Sequence, residues 1–158
     1  MTKTDELKEI DDFIIEFNHQ RLGVLRRISG EEQENPDAIC ELNNGEKRIG
    51  LENTIAVTQE DIQDTLHPKP FNPQNAFYNT SPAIDAVIER VRQKSLNDYK
   101  GENMNETWLV ITGGSGISIK ELRERLKNED FVTRFNRIFV HKGLIGEQAK
   151  LAEITPLS

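Results

Sequence analysis

The chain has 158 residues, a formal net charge of −7 and a single cysteine, Cys40. That length ordinarily makes one domain with a real core, and 35% hydrophobic with 30% charged residues is a globular rather than a disordered composition. A lone cysteine excludes an intrachain disulfide, and the acidic balance argues against a protein that coats nucleic acid indiscriminately.

The opening residues Met1 to Glu6 lack the apolar core of a signal peptide, and no apolar run is long enough to span a bilayer. The expectation is a cytoplasmic protein with no membrane contact. Charge is unevenly spread: residues 1–65 carry 16 acidic and 7 basic side chains, net −9, whereas residues 112–150 carry 5 acidic and 8 basic, net +3. An acidic half and a mildly basic half are compatible with a metal site next to a phosphate-binding surface.

Residues 4–22 have the pattern of an amphipathic helix. Leu7, Ile10, Phe13, Ile14 and Phe17 fall on one stripe, Thr4 is placed to cap the start, and Asp5 and Glu6 sit in the first turn, where the helix dipole favours negative charge. At about 100° per residue Glu6 lies inside the apolar arc. Gly23 is placed to end the helix, and Val24 to Ile28 predicts a first strand.

Next comes a hairpin. Ala38 to Leu42 is a short strand-like run, Asn43-Asn44-Gly45 is a strong turn signal, and Arg48 to Thr54 is the return strand. Alternation sends Ile49, Leu51 and Ile55 to one face and Gly50, Glu52 and Thr54 to the other. Pairing brings Asp37, at the entry of the first strand, near Glu52, late on the second. Two carboxylates at one end of a hairpin suggest a divalent-cation site.

Pro36-Asp37 at a strand start, followed on the next strand by Glu52-Asn53-Thr54, resembles the two half-motifs of the PD-(D/E)XK nuclease superfamily. Thr54 stands where that family usually has lysine. The resemblance implies a single nuclease-like domain over residues 1–158, built as a restriction-endonuclease-like αβββαβ core. It has a mixed central sheet and an additional C-terminal helix and strand. It implies Mg²⁺ (or Mn²⁺) held by Asp37, Glu52 and the carbonyl of Asn53. It also gives a catalytic role to Glu6, which would orient the attacking water.

From Thr58 to Pro82 the chain is rich in proline, with Pro68, Pro70, Pro73 and Pro82, and is expected to form a mobile loop inserted after the Glu52 strand. Ser81-Pro82 opens a helix over residues 83–99 whose stripe is Ile84, Val87, Ile88, Val91 and Ser95. Lys94 flanks that stripe. Following the Glu-bearing strand as it does, this helix gives Lys94 the chance to replace the missing motif lysine.

Thr107 to Thr112 is a near-continuous apolar strand of the kind a parallel sheet buries. Gly113-Gly114-Ser115-Gly116 then reads as a strand-to-helix turn, because no Gly-Lys-Ser/Thr follows it. A helix beginning at Ser118, with Glu121 completing a capping box and Leu122, Leu126 and Phe131 as anchors, precedes a last strand from Arg137 to His141. The tail after Gly143 carries no decisive pattern. His19, His67 and His141 have no metal-ligand spacing with Cys40.

The function expected from the resemblance is metal-dependent hydrolysis of phosphodiester bonds in nucleic acid, DNA before RNA. Two other readings are a catalytically inactive relative serving as a protein-interaction module of the antitoxin or immunity type, and a nucleic-acid-binding subunit of a larger assembly.

Overall fold

A computed structural model describes residues 2–56, 81–99, 104–114, 116–128, 134–145 and 150–155. The class is α/β. Helix α1 (Lys3–His19) leads into strands β1 (Leu25–Arg27), β2 (Ala38–Leu42) and β3 (Lys47–Ala56). Helix α2 (Ser81–Ser95), strand β4 (Glu106–Gly113) and short strand β5 (Ile117–Ser118) follow. Helix α3 (Ile119–Asn128) and strands β6 (Arg137–His141), β7 (Leu144–Ile145) and β8 (Leu151–Glu153) complete the described elements.

Six strands form a mixed sheet in the order β1-β2-β3-β4-β6-β8. The hairpin pairings β1–β2 and β2–β3 are antiparallel, β3–β4 and β4–β6 are parallel, and β8 closes the far edge antiparallel to β6. Strand β4 lies at the centre of this arrangement and is buried on both faces. Trp108 and Val110 point toward α1 with Leu7, Ile10, Phe13, Phe17 and Phe139. Leu109 and Ile111 point the other way, under α2 and α3, with Ile84, Val87, Ile88, Val91, Leu122 and Leu126. This two-sided burial is why its sequence shows no polar alternation.

Several boundaries differ from the sequence expectation. Helix α1 is capped by Thr2, not Thr4: the Thr2 hydroxyl accepts from Asp5 N–H at 3.2 Å and Thr2 N–H donates back to the Asp5 carboxylate at 3.2 Å. Only Thr2 has an acid three residues later to return the bond; three after Thr4 stands Leu7, which cannot. The helix ends at His19 rather than Leu22, with Gln20 as its C-cap and Arg21 turning the chain at φ 58°. Asn18 accounts for the early stop, since its amide takes both the N–H and the carbonyl of Leu25, at 2.8 and 2.9 Å. That pair ties the helix end to edge strand β1 and occupies edge groups that a stray strand would otherwise meet.

The second helix ends at Ser95, short of Tyr99. Its expected stripe is buried, Ser95 included. Ser118 accepts from Glu121 N–H at 3.4 Å at the start of α3. The tail contributes two strands. Ile117–Ser118 pairs with Leu144–Ile145, and β8 is fastened by Arg137, which pairs with Glu153 at 2.8 Å while stacking 4.8 Å over the Trp108 ring. Phe131 and the loop expected between Thr58 and Pro82, apart from Ser81 and Pro82 in α2, lie outside the described residues, as does His67. Among the described residues no helix is long and apolar enough to cross a membrane.

Candidate functional site

The hairpin turn sets the geometry of the site. Asn43, Asn44 and Gly45 all take positive φ, at 52°, 60° and 89°, conformations that Asn and Gly adopt more readily than other residues. The turn fixes the register Leu42↔Lys47 through Ala38↔Leu51. Continued by one residue, that register puts Asp37 opposite Glu52, and directly opposed residues of an antiparallel pair share a face. Asp37 is also locked from behind, because its Oδ2 accepts the main-chain N–H of Asn53 at 2.9 Å.

Glu52 is 5% exposed, on the face that α2 covers. Lys94, in the last turn of α2, donates from Nζ to Glu52 Oε1 at 3.2 Å. Burial and the adjacent Asp37 carboxylate push the Glu52 carboxyl up to about 7, against the pull of Lys94 in the other direction. Burial and a second carboxylate nearby both disfavour the charged form of Glu52, so it holds its proton more tightly than a free glutamate does.

The residues singled out from sequence are distributed as follows. Asp37, Glu52 and Lys94 converge. Asn53 contributes its N–H to Asp37, and its carbonyl leaves the strand on the same edge, where Pro36 has no N–H to offer it. The Asn53 side chain points to the opposite face, where its Oδ1 accepts from the Thr112 hydroxyl at 3.2 Å. Thr54 is buried on the Glu52 face. Glu6 reaches the site only through an intermediary: Lys3 Nζ is 3.8 Å from Glu6 and 3.9 Å from Asp37 Oδ1.

Two participants were not singled out from sequence. Lys3 donates to the main-chain carbonyl of Asp37 at 2.8 Å. Its position three residues before Glu6, on one helix face, was the available signal. Tyr99 donates its hydroxyl to the Lys94 carbonyl at 3.0 Å, so it steadies the end of α2 that carries the lysine. Its hydroxyl is pushed up to about 12, mainly by burial and further by Glu52 and Asp37, with Asn97 pulling the other way. It therefore stays protonated beside the carboxylates.

Among the described residues no group of three or more His, Cys, Asp or Glu side chains is placed to hold a metal ion. The acidic groups brought together here are the carboxylates of Asp37 and Glu52. Mg²⁺ characteristically takes one or two carboxylates and completes its octahedron with water and substrate oxygens. The raised proton affinity of Glu52 reflects its burial and the neighbouring Asp37 carboxylate. No protein-family model matches the chain, and no solved structure matches it.

Proposed function

We propose that this chain is a divalent-metal-dependent nuclease with a restriction-endonuclease-like core, acting on phosphodiester bonds in DNA or RNA. The observation that carries the reading is the convergence of Asp37, at the entry to β2, with Glu52 of β3 and Lys94 of α2. The element order, helix, three antiparallel strands, helix, parallel strand, supports it as well.

In this reading Asp37, Glu52 and the Asn53 carbonyl would hold the ion. A bound divalent ion would polarise the scissile phosphate and favour ionisation of an attacking water. Lys94 places its ammonium beside Glu52, where it stabilises negative charge developing on the phosphate. Thr54, in the place of the usual motif lysine, offers only a hydroxyl. Glu6, linked through Lys3, sits at the rim, where it can orient water.

Cleavage assays with Mg²⁺ or Mn²⁺ on single- and double-stranded DNA and RNA test the reading. Activity that disappears in Lys94→Ala supports it. A parent chain that cleaves none of these substrates with either ion moves the protein-interaction reading ahead.

A further inference from the structure

Lys3 is the first residue of α1, where the helix dipole disfavours a positive charge, so helix electrostatics do not explain it. Its position is nevertheless fixed. The Thr2–Asp5 capping box sets the first turn, and buried Leu7 and Ile10 clamp the helix to the sheet. From there Nζ binds the Asp37 carbonyl at 2.8 Å and lies 3.9 Å from Asp37 Oδ1, with side-chain exposures of 25% for Lys3 and 15% for Asp37. Lys94 meets Glu52 from α2 on the other side of the sheet. Each carboxylate of the pair therefore has its own ammonium, one from each helix.

We propose that Lys3 is the counter-ion of Asp37 in the ion-free site and competes electrostatically with a divalent cation for that carboxylate. This deepens the metal-site reading and rests on it. Among the described residues two ammonium groups are set against Asp37 and Glu52, with Glu6 beside Lys3, so the negative field left for a doubly charged ion is small. An ion seated on Asp37 would lie within a few ångströms of the Lys3 ammonium, in a half-buried place where the repulsion is strong at low salt and is partly screened as salt rises. Lys3 thus holds affinity down while its hydrogen bond to the Asp37 carbonyl keeps the strand entry in place.

The test is Mn²⁺ titration of the full chain by calorimetry or electron paramagnetic resonance. Lys3→Gln keeps a donor for the carbonyl and loses the charge, whereas Lys3→Arg keeps the charge. Lys3→Gln is expected to bind Mn²⁺ about three- to tenfold more tightly than the parent, and Lys3→Arg to stay within about twofold. The gain should shrink at high salt, which a merely structural effect would not do. If the parent binds Mn²⁺ and Lys3→Gln binds it equally or less well, Lys3 is not a competing counter-ion, although the metal site stands. If the parent and both variants bind no Mn²⁺, the metal site itself is absent and this inference goes with it.

Discussion

Lys94 Nζ lies 3.2 Å from Glu52 Oε1, joining two side chains 42 residues apart in sequence. Helix α2 thereby delivers a cation to the acid of β3, in the neighbourhood where Thr54 supplies none. If Lys94 has taken the role of the motif lysine, Lys94→Ala should lower cleavage by about 10²–10³ while metal binding persists, because a cation does not ligate a cation. Thr54→Lys in that background should restore part of the activity, since Thr54 shares the face of Glu52. Undiminished cleavage by Lys94→Ala would refute the relocated lysine.

Glu52 titrates at about 7 in the folded chain, against an ordinary value of 4.5. Between those values the folded chain keeps a proton that the unfolded chain has lost, so stability falls as pH rises through the window. The favourable contribution is complete below the lower value and gone above the upper one. Glu52→Gln never ionises. It should match the parent near pH 5 and exceed it near pH 8 by on the order of 2 kcal/mol, read by chemical denaturation at both pH values. An equal difference at both would show that Glu52 ionises normally.

Gly50 touches the site indirectly. A Cβ built there would lie 2.8 Å from Cγ of Pro36, the residue before Asp37, and against the sulfur of Met104. Met104 can swing aside, but the Pro36 ring cannot without moving Asp37. Gly50→Ala is expected to cost about 1–3 kcal/mol of stability and to weaken Mn²⁺ binding by on the order of tenfold. Unchanged Mn²⁺ affinity in a folded Gly50→Ala chain would show that Pro36 does not hold Asp37 in place.

The α1 face of the sheet rests on an aromatic cluster. Phe17 lies 5.9 Å from Phe13, 5.5 Å from Trp108 and 5.9 Å from Phe139 between ring centroids. Phe17→Ala should destabilise the fold by about 3–5 kcal/mol, measured as a shift in the denaturation midpoint at constant slope. A loss below about 1 kcal/mol would mean that α1 contributes little to the core.

What the sequence made legible follows the range of the forces involved. The Asp37–Glu52 pairing depends on a local turn, and Asn43-Asn44-Gly45 announces both the turn and its register. Lys94 was visible because α2 has a clean stripe and the lysine borders it. The contact of Lys3 with Asp37 spans 34 residues and depends on how α1 docks, which no local pattern encodes. The end of α1 was misplaced for the same reason: Asn18 spends its amide on Leu25 across a bend. Strand β8 has only three residues, too few for a period, and exists because Arg137 and the edge of β6 receive it.

Whether Asp37 and Glu52 together hold a divalent ion is decided by Mn²⁺ titration of the parent beside Asp37→Ala. Saturable binding to the parent is expected, abolished in a folded Asp37→Ala chain and weakening as pH falls below about 7, where Glu52 takes up its proton. No saturable binding to the parent, or binding that survives Asp37→Ala undiminished, would contradict a divalent-ion site on this pair.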